Sequence, residues 1–185
     1  GHGRGGQGTV TAAKVFADTC LGSGHFVQAF PEYGPERAGA PLQAYNRISL
    51  GELRKHCPVL RPDIVVVVDT TLLDSIDVTA GTTDQTIFLV NSGKNIERLK
   101  EKIKPAAGQK VFAVDGSRIA MDNIGRPLPN APMVAALAKI SGIAALDLDV
   151  VVKAVEKSFG KKFSQKIVDG NKEATKKGWE EVREW

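Results

Sequence analysis

The sequence begins with a glycine-rich tract that runs directly into a helical pattern. Glycine occupies five of the first eight positions, and the helical pattern follows from Thr9 to Leu21. Glycine lets the backbone approach an anion without interference from a Cβ atom, and the positive end of the next helix adds about 0.3–1 kcal/mol per interaction with a phosphate. The tract therefore predicts a phosphate-binding loop, with a flexible glycine terminus as the alternative.

The glycine spacing also matches a dinucleotide-binding motif. G-x-G-x-x-G is satisfied at positions 1, 3 and 6 and again at positions 3, 5 and 8. This motif normally follows a strand, and here the sequence starts at the motif itself. We therefore expect that residues precede Gly1 in the intact protein, or else that the structural context of the motif fails.

The residues around this tract test two classes of nucleotide-binding protein. A Walker A loop is excluded because Thr9 stands where that loop requires lysine. Dinucleotide enzymes carry an acid about 20 positions beyond the glycines. Glu32 lies 24 positions after Gly8, but it follows Pro31 in a predicted loop. A stand-alone dinucleotide-binding oxidoreductase stays open as the alternative function.

Composition predicts one globular domain spanning residues 1–185. The chain is 42% apolar and 25% charged, which is typical of proteins that bury a core. Its apolar runs, such as Ile64 to Val68, are far shorter than the roughly 18 residues of a membrane span, and no leader is recognisable. We expect a cytoplasmic protein with no membrane contact. Cys20 and Cys57 lack ligand spacing, so we expect no metal site and two buried, reduced thiols.

Alternating periodicities predict an α/β fold, a three-layer Rossmann-like sheet with helices on both faces and an extended C-terminal helical segment. The predicted strands are 25–30, 42–49, 63–69, 86–91 and 110–115. The predicted helices are 8–22, 70–78, 93–104, 117–124, 131–142, 147–159 and 164–185. The third and fourth strands are continuous apolar runs, which favours interior positions in the sheet.

The net charge of +4 comes mainly from the C-terminal segment. Residues 153–185 hold nine Lys or Arg and six Asp or Glu, a balance of +3. These charges alternate in sign on a predicted helix, without the interleaved aromatic residues of a stacking platform. We therefore expect no nucleic-acid binding, and a solvated or subunit-facing helix with Trp179 and Trp185 as interface anchors.

A second unusual segment, Gln28 to Pro41, is rich in proline and glycine. The prolines predict that the stretch from Pro31 to Pro41 is an ordered loop rather than regular structure. This loop presents Arg37 from a stiff frame, as a site requires when a planar guanidinium meets a phosphate. The alternative is a surface loop with an internal Glu–Arg pair.

Taken together with Gly3-Arg-Gly-Gly-Gln-Gly8, this segment resembles the gamma subunit of 2-oxoacid:ferredoxin oxidoreductases, most closely the pyruvate type. The resemblance continues through residues 63–73, 88–91, 130–137, 159–163 and 171–174, and so covers nearly the whole chain. The sequence departs from the family at its start, where members carry a short strand ahead of the glycine loop.

The resemblance implies a multi-subunit enzyme that converts a 2-oxoacid and coenzyme A to acyl-CoA and carbon dioxide while reducing ferredoxin. It implies alpha, beta and delta type partner subunits, which hold thiamine diphosphate, magnesium and iron–sulfur clusters, and it implies that the helical segment 147–185 docks on them. The substrate it indicates is pyruvate, with oxalate or a branched 2-oxoacid as alternatives. A non-catalytic assembly module is a further alternative.

In related enzymes this domain helps to hold coenzyme A, so the resemblance also suggests a binding site. We expect the amides of Gly5, Gly6, Gln7 and Gly8, together with the Thr9 hydroxyl, to bind coenzyme A oxygens. Arg37 and, more weakly, Arg4 would neutralise phosphate charge, and Asn130 would add an amide contact. Catalytic residues are not identifiable from this chain.

One further motif follows the third predicted strand. Asp69-Thr70-Thr71 is a plausible helix start, and it also lies at the carboxyl end of a strand, where open α/β sheets bind ligands.

Overall fold

The computed structural model describes residues 1–33, 39–54 and 57–185, and within them it contains seven strands. The strands are β1 (His2–Arg4), β2 (Phe26–Tyr33), β3 (Pro41–Ser49), β4 (Ile64–Val67), β5 (Ile87–Asn91), β6 (Lys110–Val114) and β7 (Arg183–Glu184). They form one sheet in the order β2-β3-β1-β4-β5-β6-β7. Strands β1, β4, β5 and β6 run parallel, and β3, β2 and β7 pair antiparallel with their neighbours.

Helices cover both faces of this sheet. The described residues form six α-helices, α1 (Thr9–Gly22), α2 (Ile96–Ile103), α3 (Gly116–Ile124), α4 (Asn130–Ile140), α5 (Leu148–Gly160) and α6 (Gln165–Glu181). On one face, α1, α4 and α5 share a core that includes Phe16, Val134 and Val151. On the other face, α2 packs the apolar side of Ile96, Leu99 and Ile103 against β4, β5 and β6. The predicted α/β fold with helices on both faces is confirmed.

The interior strands were predictable from their side chains. Phe88 and Leu89 of β5 point to opposite faces of the sheet and are both fully buried. Such a strand needs apolar residues at consecutive positions, which is the pattern that parallel sheets require. Short polar caps then start the helices that follow: the Asp115 carboxylate accepts from Arg118 N, and that of Asp147 accepts from Val150 N.

The prediction of a helix through Trp185 is wrong at its end. Helix α6 stops at Glu181, and residues 183–184 form β7, which pairs with Phe112 and Ala113 of β6. The backbone of β6 would otherwise present unpaired amide and carbonyl groups at the sheet edge. The C-terminal helices also belong to the main core, since Val155 and Ala174 are fully buried. Trp179 packs against that core, whereas Trp185 is about half exposed.

Two further predictions differ from the structure. The predicted helix 70–78 is a 3-10 helix at Thr70–Asp74, where two β-branched threonines and an Asp69 side chain bonded to Thr71 N favour a short turn. The predicted loop from Pro31 to Pro41 is partly strand, because β2 continues to Tyr33 and β3 begins at Pro41. Strand β2 lies at the sheet edge, where proline is tolerated.

The start of the chain is also organised differently from expectation. Residues of the glycine motif itself form β1, whose Gly3 pairs with Leu42 and whose His2 pairs with Val67. The strand that the motif requires is thus supplied by residues 2–4. Among the cysteines, Cys20 is buried as predicted, but Cys57 is exposed. In the part of the chain that the structure describes, the helices are too short or too polar to cross a membrane.

Candidate functional site

The topology of the sheet predicts a ligand-binding crevice beside the glycine tract. After β1 the chain turns through α1 to β2 on one side, whereas β4 lies on the other side of β1. Open α/β sheets bind ligands at the carboxyl ends of the strands where the chain reverses direction in this way. At this point the loop 4–8 that follows β1 faces the segment 69–71 that follows β4.

The loop after β1 is a tight turn closed by Gln7. The Gln7 amide donates to the carbonyl of Arg4 at 3.2 Å, and the Gln7 side-chain oxygen accepts from the Arg4 amide at 2.9 Å. Gly6 and Gly8 have φ angles of 87° and 80°, a backbone conformation that glycine adopts without strain. The glycines are thus required by the shape of the turn.

Two of the predicted amide donors are already engaged within the chain. The Gly5 amide donates to the carbonyl of Ala40 at 3.2 Å, and the Gln7 amide closes the turn. The first intrahelical bond of α1 runs from Ala12 N to Gly8 O, so the amides at positions 9–11 lack intrahelical acceptors. The donors that this loop can offer to an anion are therefore those of Gly6, Gly8 and the first turn of α1.

The predicted contact residue Asn130 lies beside this loop. A Cβ atom built on Gly8 would sit 3.3–3.4 Å from the side chain of Asn130, the first residue of α4. The Asn130 side-chain oxygen accepts from Ala131 N at 3.1 Å. Two helix N-termini, those of α1 and α4, therefore meet at Gly8, and their dipoles both favour negative charge there.

Thr9 occupies the first position of α1 and is 4% exposed. Its hydroxyl is buried without a hydrogen-bond partner in the described part of the chain. This oxygen points at β1, because a Cβ atom built on Gly3 would lie only 2.0 Å from it. The hydroxyl thus packs against the strand, and the helical amide of Thr9 is the group better placed for a ligand.

Arg4 reaches across the crevice to the segment after β4. Its Nε donates to Asp69 Oδ2 at 3.1 Å, and its two terminal nitrogens donate to Gly39 O at 3.2 Å and to Thr71 Oγ1 at 3.3 Å. The Arg4 side chain is 32% exposed. All three guanidinium nitrogens are therefore bonded within the protein, and the side chain stays partly exposed beside the crevice. Arg37 lies outside the described residues.

Sequence reasoning did not assign Asp69 to the site, although it placed this residue near the crevice. Asp69 Oδ2 accepts from Gln7 Nε2 at 2.7 Å as well as from Arg4, and Oδ1 accepts from Thr71 N at 2.9 Å and Thr71 Oγ1 at 2.7 Å. Burial alone would raise the pKa of Asp69, but the hydrogen bonds from Gln7 and Thr71 and the charge of Arg4 outweigh it and lower that pKa. The carboxylate is therefore charged at neutral pH.

A second polar bridge continues along the same edge of the sheet. Asn91, at the end of β5, donates through Nδ2 to Val68 O at 3.0 Å and to Ser117 Oγ at 2.9 Å. Its Oδ1 accepts from Ser117 N at 3.2 Å. Asn91 thus fixes the end of β4 and the start of α3 relative to each other. Across the described residues, no group of three His, Cys, Asp or Glu is placed to hold a metal.

An open groove lies elsewhere, between the start of α2 and Trp185. It has a volume of about 560 Å³, and its charged lining is mixed, with Lys94 and Arg98 beside Glu97 and Glu101. By contrast, the crevice at Gly8 combines two helix N-termini with a fixed arginine. We therefore take the crevice as the candidate site on its chemistry rather than on its size.

Comparison with known proteins gives the family. The family model described as pyruvate ferredoxin/flavodoxin oxidoreductase matches residues 1–181. The chain is 44% identical to pyruvate synthase subunit PorC of Thermotoga maritima, over 98% of this chain and 92% of that protein. It is 39% identical to the pyruvate/ketoisovalerate oxidoreductases common subunit gamma of Pyrococcus furiosus, over 98% of this chain and 94% of that protein.

Solved structures agree with this assignment. The crystal structure of the Thermotoga maritima pyruvate oxidoreductase subunit PORC superposes with a TM-score of 0.84 and 40% identity, covering 99% of this chain and 94% of that one. A 2-oxoglutarate:ferredoxin oxidoreductase from Magnetococcus marinus, solved with coenzyme A bound, has a TM-score of 0.68 at 18% identity, and this chain covers 29% of it. That likeness shows the fold alone. The chain belongs to the pyruvate ferredoxin/flavodoxin oxidoreductase family, as a gamma subunit of a 2-oxoacid:ferredoxin oxidoreductase.

Proposed function

We propose that this gamma subunit acts in a cytoplasmic complex that converts pyruvate and coenzyme A to acyl-CoA and carbon dioxide and passes the electrons to ferredoxin. The names of the relatives support pyruvate as the substrate. Alpha, beta and delta type subunits would hold thiamine diphosphate, magnesium and the iron–sulfur clusters. Thiamine diphosphate would supply the carbanion chemistry, so the part of this chain is to bind and position.

A branched 2-oxoacid is the second candidate substrate. Several relatives are named as gamma subunits common to pyruvate and ketoisovalerate oxidoreductases. A gamma subunit shared between two enzymes cannot select the 2-oxoacid in those proteins. We therefore place substrate selection in this complex on its partner subunits. The stand-alone dinucleotide-binding enzyme is not favoured, because the matched relatives are named as subunits.

For this chain we propose coenzyme A binding at the crevice beside Gly8. The observation that carries this proposal is the meeting of the α1 and α4 N-termini at a turn that needs glycine at positions 6 and 8. Amides of Gly6, Gly8 and Thr9 would bind phosphate or pantetheine oxygens. Arg4 and Arg37 would neutralise phosphate charge, and Asn130 would add its side-chain amide. The fold neighbour solved with coenzyme A bound is compatible with this ligand.

The test is a steady-state assay of the complex, purified without oxygen through a tag on this chain. Dye reduction is measured with a panel of 2-oxoacids, with and without coenzyme A. Reduction that requires both pyruvate and coenzyme A supports the proposal. Activity with ketoisovalerate but not with pyruvate would indicate that the substrate is a branched 2-oxoacid, the second candidate. Reduction of a nicotinamide cofactor by the lone chain contradicts the proposal.

The site itself is tested by Arg4→Gln and Arg37→Ala in that complex. Removing one charged phosphate contact should raise the KM for coenzyme A about tenfold and leave the KM for the 2-oxoacid unchanged, because the contact is remote from the reacting carbon. Arg54→Gln is the matched control, since Arg54 is 85% exposed and pairs with Glu52. A collapse of turnover at constant KM for coenzyme A would refute this site. An unchanged enzyme would instead favour a non-catalytic assembly role.

A further inference from the structure

The carboxylate of Asp69 connects two parts of the chain that are far apart in sequence. Its Oδ2 accepts from Nε of Arg4, the last residue of β1, at 3.1 Å and from Nε2 of Gln7, in the loop that follows, at 2.7 Å. Its Oδ1 accepts from the amide and hydroxyl of Thr71 in its own segment after β4. The side chain is 10% exposed, so water competes little for these bonds. One residue thus joins both sides of the crevice.

The backbone contributes little to this junction. Strand β1 has three residues, and its register with β4 pairs His2 with Val67. Val68 N adds one hydrogen bond to His2 O at 2.8 Å. Beyond these residues the loop after β1 depends on side chains for its position against β4. The Asp69 bonds to Arg4 and Gln7 fill that role.

Arg4 and Gln7 in turn fix the shape of the loop. Gln7 closes the turn by accepting from the Arg4 amide, and the same side chain is held in place by Asp69 through its nitrogen. An Asp69 carboxylate at this position therefore sets the orientation of the Gln7 amide group. The orientation of that group decides whether the turn, with Gly6 and Gly8 at positive φ, keeps its shape.

We infer that Asp69 is a positioning residue for the coenzyme A site, holding Arg4 and the turn at 4–8 in the geometry that presents the loop amides. This inference rests on the proposed coenzyme A function. Asp69 acts through Arg4 and Gln7, and it repels the phosphates themselves, so it is not a ligand contact.

The chain offers a matched control in Asp77. Asp77 Oδ1 accepts from Thr79 N at 2.8 Å and Thr79 Oγ1 at 2.6 Å, the same local motif that Asp69 makes with Thr71. Asp77 is exposed. Replacement of either residue by asparagine preserves one acceptor oxygen for the local threonine. At Asp69 alone, the new NH₂ group faces two donors, Arg4 Nε–H and Gln7 Nε2–H.

The experiment compares Asp69→Asn, Asp77→Asn and the double variant Asp69→Asn with Gln7→Glu in the assembled complex. Hydrogen exchange of the amides at positions 4–9 reports on the turn, and the KM values for coenzyme A and pyruvate report on binding. We expect Asp69→Asn to accelerate exchange at 4–9 and to raise the KM for coenzyme A about tenfold. Asp77→Asn should change neither. Gln7→Glu exchanges donor for acceptor and restores the hydrogen bond to Asn at position 69, so the double variant should recover much of the slow exchange at 4–9.

The two levels of the inference fail in different ways. Unchanged exchange at 4–9 in Asp69→Asn overturns the positioning role, whatever happens to the KM. Accelerated exchange with an unchanged KM for coenzyme A shows that Asp69 holds the turn and overturns the proposal that the turn binds coenzyme A. Equal effects of Asp69→Asn and Asp77→Asn on exchange and KM would show that Asp69 only caps its own turn, and would refute the inference. The absence of recovery in the double variant would refute it as well.

Discussion

Replacing Gly178 with alanine should destabilise the chain, because this glycine is the point of closest approach between α6 and α4. A Cβ atom built on Gly178 would lie 2.4 Å from Pro132 O, 2.5 Å from Pro132 Cα and 2.8 Å from Pro132 C. These are backbone atoms of a helix, so no side-chain rotation relieves the overlap. Ordinary contacts of this kind are 3.4–4 Å, so the two helices would have to separate by about 1 Å.

The size of the effect follows from two opposing contributions. Alanine is favoured over glycine inside a helix by about 1 kcal/mol. Overpacking of a close-packed interface costs about 1–3 kcal/mol and occasionally more. Because the overlap involves backbone atoms, we expect a cost at the upper end of the overpacking range. The net loss in the free energy of unfolding should therefore be about 2 kcal/mol. For a chain of this length that corresponds to a fall in Tm of about 4–8 °C.

Gly160→Ala is the control. Gly160 is the last residue of α5, and a Cβ atom there would meet nothing within 4 Å. We expect this variant to be unchanged or stabilised by about 0.5 kcal/mol. Thermal unfolding of the purified chain, followed by circular dichroism, measures both variants. A Gly178→Ala variant as stable as the original, or an equal loss in Gly160→Ala, would show that α6 does not pack on α4 as described.

Two other predictions concern the start of the chain. Gly3→Ala should lower the free energy of unfolding by about 2 kcal/mol, because its Cβ would lie 2.0 Å from Thr9 Oγ1. Adding Thr9→Ala should recover about 1 kcal/mol or more of that loss. Additive losses in a double-mutant cycle would contradict this contact. Burial lowers the pKa of His2 to about 4 from its ordinary value of 6.5, so the folded state disfavours its proton. The free energy of unfolding should therefore fall by about 3 kcal/mol as the pH drops from about 6.5 to about 4. His2→Gln should remove that part of the pH dependence, measured by denaturant titration at each pH. If both proteins show the same pH dependence, His2 is not its source.

Local patterns were enough to predict much of this fold. The apolar run of β4 and that of β5 require burial on both faces, and α2 follows from apolar residues at 96, 99 and 103. Strand β7 was missed because Arg183 and Glu184 continue the alternating charges of the helix before them. Their strand conformation depends on the free edge of β6, which is a tertiary feature and leaves no trace in the local sequence.

In the candidate site, too, some features are visible in the local sequence and others depend on tertiary contacts. The left-handed turn at Gly6 and Gly8 leaves a local signal, since glycine is the residue that adopts this conformation without strain. The Asp69 bond to Gln7 spans 62 positions, and periodicity carries no information about such a contact. The internal use of the Gly5 amide likewise depends on Ala40, the residue before β3. Sequence reasoning thus predicted the glycine turn but not the contact that Asp69 makes with it.

The position of the site explains why a charged pair is tolerated there. The β1–β4 junction connects one half of the sheet, β2-β3-β1, to the other, β4-β5-β6-β7, through the register pair of His2 with Val67. An apolar contact in place of Arg4 and Asp69 would hold the halves together equally well, because buried ion pairs seldom exceed hydrophobic packing in stability. A partly exposed arginine does what an apolar residue cannot, since it joins the halves and also places a cation at the loop that leads into α1. If an anion binds at this loop as proposed, its binding should stabilise this junction of the sheet.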